Sequence, residues 1–236
     1  MKINLKITAL ILLMQALMNT VSSQTANYQL QQIYQKMMQA KDYTVQANIK
    51  VDLPFIKMLP IQAKIYFKQK DKFKVDSKSI AIVPRQGFEQ LTKMLNDTNS
   101  FSSLISGIEK TGAIETSIIN IIPLADTSDL ILGKVWIDKQ KMLVLKSQLT
   151  TKLNGTILTE YTYGSQVNYG LPDQMIFTVD IKKFKIPKSV SADINNAKVK
   201  EENKNKKEKK GKIFIRLSQY QINKGLDDKI FLKVEK

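Results

Sequence analysis

One segment of the chain alternates apolar and polar side chains without interruption. From Tyr43 to Leu53 every odd-numbered residue is apolar and every even-numbered residue is polar. Successive side chains of a β-strand point to opposite faces, so this pattern predicts a strand with one apolar and one solvated face. The chain is therefore expected to build a sheet that is wet on one side and apolar on the other.

The next segment repeats this alternation and predicts the partner strand of a hairpin. The residues on its apolar face are Ile61, Ala63, Ile65 and Phe67. A short link over residues 54–60 makes the two strands antiparallel neighbours. The link itself is unusually apolar, because it contains Phe55, Ile56 and Met58. Loops normally lie in water, so these side chains are expected to need a covering partner, a membrane or a ligand.

The N-terminus has the pattern of a secretory signal peptide. Basic residues at Lys2 and Lys6 precede an apolar core over 7–18 and small residues at 21–23. This predicts a signal peptide over 1–23, cleaved near Ser23 and Gln24, and a single mature domain over 24–236. The alternative is an N-terminal membrane anchor, although the apolar core is shorter than the ~20 residues that span a bilayer.

Cysteine and histidine are both absent from the 236 residues. Their absence excludes disulfides, the usual zinc and iron ligand sets, and nucleophile systems that pair serine or cysteine with histidine. No metal or cofactor is expected. About 210 mature residues are enough to bury one sizeable core without disulfides. A monomer is expected.

The chain is strongly basic, with a formal net charge of +16, and loss of Lys2 and Lys6 with the signal peptide leaves +14. Exported proteins rarely meet nucleic acid, so a phosphate-bearing or otherwise anionic membrane surface is the expected counter-charge. Part of the excess lies in Lys198 to Lys212, where eight lysines stand against three glutamates. That composition predicts a flexible, solvated Lys-rich loop, and the alternative is a basic tether to a membrane or a partner.

Helical spacing appears before and after the first hairpin. The first helix, behind a possible Asn27 cap, has an apolar face formed by Leu30, Ile33, Tyr34 and Met37. Short strands are predicted at 72–76 and 80–83. Two inserted helices are then predicted, and their apolar residues are Phe88, Leu91 and Met94 or Leu95 in the first and Phe101, Leu104, Ile105 and Ile108 in the second. Both are expected to pack on the apolar side of the sheet.

The second half of the sequence predicts a meander of antiparallel strands. A strand of ambiguous facing is predicted at 115–124, followed by strands at 134–138, 142–150, 156–163, 175–181 and 213–217. Asn154 and Gly155 form a strong type I′ turn signal, because both accept a positive φ. Roughly ten strands at this spacing favour a barrel or a strongly curved sheet.

No motif supports a catalytic role for the acidic residues. A hydrolase would need two carboxylates brought together in a cleft. The candidates are Asp126, Asp129, Asp138, Glu160 and Asp180. They are interpreted as turn and surface acids, because charged side chains default to solvent. The chain is therefore expected not to be an enzyme, and a hydrolase remains the open alternative.

Several phrases, taken in order, resemble one family. They are PIQAKIYFKQKDKFKVD at Pro60–Asp76, IAIVPRQGF at Ile80–Phe88, KVWIDKQKMLVLKSQ at Lys134–Gln148, YGLPDQMIFTV at Tyr169–Val179 and FIRLSQYQINKGL at Phe214–Leu226. Together they resemble the LolA-like outer-membrane lipoprotein-sorting superfamily. The resemblance implies an α+β, mainly β, fold: an incomplete antiparallel β-barrel wrapped around an apolar cavity with a helical lid. It also implies an acyl-chain ligand and a periplasmic location.

The resulting hypothesis is a periplasmic carrier of lipid or lipoprotein acyl chains. Residues expected to line the cavity are Ile49, Val51, Leu53, Ile65, Phe67, Phe73 and Val75. Residues expected to form the helical lid are Phe88, Leu91, Leu104 and Ile105, and those expected at the mouth are Phe55, Ile56 and Met58. The alternative is an envelope sensory or structural module that uses the same fold to recognise a protein partner, with the Lys-rich loop as its contact.

Overall fold

The computed structural model describes residues 25–53, 56–57, 59–69, 72–77, 91–92, 95–97, 99–153, 155–180 and 210–232. The predicted signal peptide, the strand predicted at 80–83 and residues 198–209 of the Lys-rich loop lie outside these ranges. The last three loop residues, Lys210 to Lys212, belong to a strand.

Helix α1 occupies residues 25–37 and is amphipathic as predicted. Leu30 and Ile33 are buried in the core, and Tyr34 and Met37 pack against its edge. Asn27 lies inside the helix, so it does not cap the helix start. Residues 91–92 and 95–96 are also helical, and Leu91 and Leu95 are buried, as the first inserted helix predicts.

The strands follow the sequence order closely. They are β1 (Asp42–Leu53), β2 (Ile56–Lys57), β3 (Ile61–Lys68), β4 (Lys72–Ser77), β5 (Phe101–Thr111), β6 (Ile114–Pro123), β7 (Leu130–Asp138), β8 (Leu143–Thr151), β9 (Gly155–Thr162), β10 (Gln174–Asp180) and β11 (Lys210–Ile222). Two short 3₁₀ helices, Val167–Tyr169 and Asp228–Phe231, complete the described elements.

All strands belong to one antiparallel sheet. Their order is β4-β3-β1-β11-β10-β9-β8-β7-β6-β5, and β2 pairs with β1 beside this path. The last strand, β11, lies between β1 and β10 and so joins the first hairpin to the meander. Among the described residues β4 and β5 do not pair, so the sheet is an open half-barrel. The face that α1 covers is called here the concave face, and the other the convex face.

The opening hairpin has the predicted register and facing. Val45 lies opposite Ile65 and Ile49 lies opposite Ile61, and all four side chains are buried. The apolar link after β1 forms strand β2, with Ile56 opposite Leu53. Phe55, Met58 and the side chain of Ile56 lie outside the described residues.

The second inserted helix was predicted wrongly, because Phe101 to Thr111 form strand β5. The apolar spacing that mimicked a helix has two sources: Leu104 is an apolar residue on the exposed face, and a β-bulge lies between Ile105 and Gly107. A bulge adds one residue to a strand, so residues three apart across it point to the same face. Ile105 and Ile108 therefore share the concave face. The β-branched side chains of both also favour a strand.

The strands predicted for the meander are present, and the structure shows which face each isoleucine of β6 occupies. In β6, Ile119 and Ile121 are fully buried on the concave face, whereas Ile122 is 49% exposed. Ile118 is buried on the convex face, where it lies opposite Trp136. Gly155 has the positive φ of +68° that the predicted hairpin turn before β9 requires. Asn154 lies outside the described residues.

Candidate functional site

The concave face of the half-barrel is an apolar surface that continues across neighbouring strands. Ile49, Ile215 and Met175 form one cross-strand row on β1, β11 and β10. Val135 and Ile119 continue the surface on β7 and β6. All five side chains are buried. Burial of apolar surface stabilises the fold by roughly 25 cal/mol per Å², so this face is a major source of stability.

Helix α1 covers the concave face and is bound to it by two polar contacts as well as by packing. The Ser103 hydroxyl donates to Asn27 Oδ1 at 2.5 Å, and the Ser117 hydroxyl donates to Gln29 Oε1 at 2.6 Å. Ser103 and Ser117 are both buried, on β5 and β6. A buried hydroxyl needs a partner. These two serines therefore fix the position of the helix on an otherwise apolar surface.

The structure places the predicted cavity residues together and separates one predicted lid residue from them. Those buried in the core are Ile49, Val51, Leu53, Ile65 and Leu91; those half-buried against it are Phe67, Phe73, Val75 and Ile105. Leu104 is 46% exposed on the convex face, so its prediction as part of a helical lid is wrong in both element and face. Phe55, Met58, Phe88 and the side chain of Ile56 lie outside the described residues.

A cluster of aromatic side chains at one end of the concave face was not predicted. The Tyr43 and Phe67 rings stack with their centroids 5.0 Å apart, and Tyr220 lies 5.8 Å from Tyr43. The Tyr220 hydroxyl donates to the Pro172 carbonyl at 2.7 Å. Desolvation by burial raises the pKa of Tyr43 and, together with the nearby Tyr43, of Tyr220. Tyr43 and Phe67 each lie on the apolar face of an alternating segment, and that alternation is the sequence signal that places them in the interior.

Two further tyrosines use their hydroxyls within the interior. Tyr161 is hydrogen bonded to Ser147 at 3.0 Å, and the Tyr163 hydroxyl donates to the Val144 carbonyl at 2.8 Å. Desolvation by burial raises the pKa of Tyr161 to about 12. Both phenols are therefore neutral at physiological pH and act as hydrogen-bonding parts of an apolar wall.

The interior is almost filled in this conformation near these tyrosines. An apolar pocket there is lined by Ile33, Met37, Leu91, Thr92, Leu143, Val144, Tyr161, Tyr163, Gly170, Leu171 and Pro172. The space open to a small molecule is about 20 Å³. This is room for about one water molecule, whereas ligand pockets typically measure about 300–1,000 Å³.

The acidic residues considered for catalysis have structural roles where their contacts are described. Asp138 is buried and accepts from the backbone N–H groups of Gln140 and Lys141 in the β7–β8 turn. Asp129 accepts from the backbone N–H of Leu153. Within the described ranges, no three acidic side chains gather closely enough to hold a metal ion. In the same part of the chain, no helix has both the length and the hydropathy that a membrane crossing requires.

Comparison with known proteins gives structural but no sequence matches. No family model and no curated protein matches the chain. A DUF1329 family protein from Desulfovibrio piger is similar with a TM-score of 0.56 and 13% identity, over 89% of this chain and 97% of that one. A domain from Vibrio parahaemolyticus described as outer membrane lipoprotein-sorting is similar with a TM-score of 0.58 and 11% identity, over 89% and 97%.

A third solved structure agrees with these two. A LolA superfamily protein from Nitrosomonas europaea is similar with a TM-score of 0.53 and 11% identity, over 86% of this chain and 97% of that one. At these identities the likeness defines the fold alone. The chain has a LolA-like fold, an open antiparallel half-barrel whose concave face is covered by a helix. The resemblance noted in the sequence is thereby confirmed at the level of the fold.

Proposed function

We propose that the protein is a periplasmic, non-enzymatic carrier that binds lipid or lipoprotein acyl chains against the concave face. The observation that carries this proposal is that, among the described residues, helical segments and not a second sheet cover the apolar face of the half-barrel. These segments are α1 and the short helical stretches that contain Leu91 and Leu95. A helix packs on the sheet through its side chains and can move away as a unit, whereas a second sheet would bury a wider interface of interdigitating side chains. The LolA-like fold of the structural neighbours supports the same function.

The filled interior defines what such a cargo has to do. Leu30 and Ile33 of α1 and Leu95 occupy the concave face in this conformation, so an acyl chain has to displace them. Each methylene of the acyl chain that is buried contributes about 0.8 kcal/mol of binding free energy, which offsets the loss of helix packing. The hydrogen bonds that Asn27 and Gln29 accept from β5 and β6 break when the helix leaves, as does the bond from Lys36 to the Lys141 carbonyl in the β7–β8 turn.

The test is to lock the helix on the sheet and measure uptake of a fluorescent fatty acid. The chain has no cysteine, so Asn27→Cys with Ser103→Cys introduces one thiol on α1 and one on β5. The pair is closed by oxidation or by a short thiol-to-thiol crosslinker, and closure is verified by mass. We expect the locked protein to take up no fatty acid and the reduced protein to take it up readily.

The single-cysteine variants are the matched controls, because they lose the same hydrogen bond without forming a crosslink. They should take up fatty acid in both redox states. Native mass spectrometry of the unmodified purified protein should also detect a co-purifying acyl lipid. Equal uptake by the locked and reduced proteins, or the absence of both uptake and co-purifying lipid, contradicts the proposal.

A further inference from the structure

We propose that the convex face carries a second site, a depression between Lys50 and Arg216 that binds a carboxylate-bearing segment of an acidic partner protein. The depression lies on β1, β11 and β10 and encloses about 310 Å³. Its lining residues are Asn48, Lys50, Gln174, Phe214, Ile215 and Arg216. It lies on the opposite face of the sheet from the interior, so it is independent of the proposed carriage of acyl chains.

Strand register brings these groups to one place. Lys50 lies opposite Phe214, and Arg216 lies opposite both Asn48 and Gln174. Lys50 and Arg216 are thus diagonal neighbours across an antiparallel pair, where Cα atoms are about 7–8 Å apart. Both cations are exposed, and Phe214 is half-buried beside them. The arrangement is two positive charges and two amides around an aromatic ring.

Several basic residues of the convex face have internal partners, among the described residues, that Lys50 and Arg216 lack. Lys68 and Lys72 form ion pairs with Asp228, at 2.6 and 2.8 Å. Lys134 and Lys146 lie over the Trp136 ring, 4.8 and 4.1 Å from its centroid. For Lys50 and Arg216, the described residues provide no ion pair, hydrogen bond or aromatic contact of this kind. Their charges therefore remain available to an external group.

The C-terminal segment illustrates how this face holds an acidic peptide. The Asp228 carboxylate lies between Lys68 and Lys72, while Lys68 also donates to the Leu226 carbonyl at 2.7 Å. Lys74 donates to the Ile230 carbonyl at 2.8 Å. Lysine side chains here bind both a carboxylate and the peptide carbonyls beside it. The depression offers the same chemistry, with Arg216 able to bind a carboxylate by two parallel hydrogen bonds.

The shape of the depression and the surrounding charge favour a segment of a partner protein over a membrane surface or the chain's own Lys-rich loop. A depression enclosed by six residues accepts an inserted side chain, whereas a planar membrane surface contacts the rim. The chain between β10 and β11 includes most of the Lys-rich loop, and its excess of lysine repels it from two free cations. That same positive charge, attached to the strands that line the depression, attracts an acidic partner. Asn48 and Gln174 supply amides that can pair with its peptide groups.

The experiment measures binding of a fluorescein-labelled ten-residue peptide of alternating glutamate and serine to the purified protein. The double variant Lys50→Gln with Arg216→Gln removes both cations from exposed positions. The matched control, Lys110→Gln with Lys224→Gln, removes the same charge from exposed positions on β5 and in the turn after β11. We expect at least tenfold weaker binding in the first variant and less than twofold weaker binding in the control. Amide chemical shifts should change around residues 48–50, 174 and 214–216.

Two further probes separate the alternatives. Vesicles containing phosphatidylglycerol in phosphatidylcholine test a membrane surface, and inorganic phosphate tests a small anion. Equal losses in the two double variants, absence of peptide binding at millimolar concentration, or dependence on Lys50 and Arg216 with vesicles but not with the peptide would each overturn the proposal. Fatty-acid uptake should be unchanged in both variants, so failure here is distinguishable from failure of acyl-chain carriage.

Discussion

Two serines carry the most specific information at the level of single residues. Ser103 and Ser117 lie on a concave face that is otherwise apolar, and each donates to an amide oxygen of helix α1. In the sequence Ser103 lies within the segment predicted as a helix, and Ser117 lies in a strand whose facing is ambiguous. Their role becomes apparent only when the helix, far away along the chain, is placed on the sheet.

Replacement of Ser117 by alanine should destabilise the protein by about 1–3 kcal/mol, because it leaves the buried Gln29 amide without this partner. Ser106→Ala is the matched control, since its hydroxyl makes only a long 3.4 Å contact with the Ile118 carbonyl and the residue is exposed. The control should cost about 0.5 kcal/mol or less. Urea denaturation measures both, and equal costs would contradict the role assigned to Ser117.

Asp228 should titrate far below an ordinary aspartate. Hydrogen bonds from Lys68 and Lys72 lower its pKa from 3.8 to about 2. A depressed carboxyl pKa adds stability above the unfolded value, and this contribution disappears as the pH falls toward 2. The docking of the C-terminal segment should therefore persist at pH 4. Carboxyl ¹³C NMR should give a midpoint near 2.

The control for this prediction is the double variant Lys68→Ala with Lys72→Ala, which removes both donors. Its Asp228 midpoint should move back toward 3.8, the ordinary value. A midpoint near 4 in the unmodified protein would show that the two ion pairs are absent in solution.

At the level of elements, the strands with regular apolar–polar alternation were predicted correctly, whereas strand β5, with its β-bulge, was not. The hairpin of β1 and β3 has the predicted pairing and buried face, since period-two alternation has one structural solution. Strand β5 was mistaken for a helix, because Leu104 is an apolar residue on the exposed face and a bulge lies between Ile105 and Gly107. The apolar spacing alone does not distinguish this strand from a helix, although the β-branched side chains of Ile105 and Ile108 favour a strand. The assignment of Leu104 to a lid followed from this error.

Helix α1 provides the test at this scale. Leu30→Ala removes a fully buried side chain of the helix and should destabilise the protein by about 2–5 kcal/mol. The same change leaves space on the concave face, so it should also increase fatty-acid uptake. Tyr28→Ala, at a position 58% exposed on the same helix, is the control and should alter stability little. Loss of stability without any gain in uptake would separate the helix from cargo binding.

For the whole molecule, the sequence predicted the fold class and the apolar side of the sheet but not how full the interior is. Alternation determines which side chains face inward. The volume left in the interior depends on how closely the helix approaches the concave face of the sheet. No local sequence pattern determines that distance. The aromatic end of the interior was likewise assembled from β1, β3, β9 and β11, which are distant in sequence.

These buried tyrosines make the whole fold sensitive to alkaline pH. Desolvation raises the pKa of Tyr161 from 10 to about 12, and it raises the pKa of Tyr43, Tyr163 and Tyr220 as well. A raised pKa gives stability that is complete below pH 10 and lost as the pH rises toward 12. The midpoint of urea unfolding should therefore fall steeply above pH 10. A midpoint constant between pH 9 and pH 11.5 would contradict burial of these phenols.

The central claim is that the concave face receives an acyl chain when helix α1 moves away. Its most direct test is NMR with ¹³C-labelled fatty acid and methyl-labelled protein, which measures contacts between the chain and individual side chains. The account predicts nuclear Overhauser effects from the acyl methylenes to the methyl groups of Ile49, Val51 and Ile65, with loss of the hydrogen bonds from Ser103 and Ser117 to α1. Acyl contacts confined to exposed residues such as Leu104 and Ile122, with α1 still in place, would contradict it.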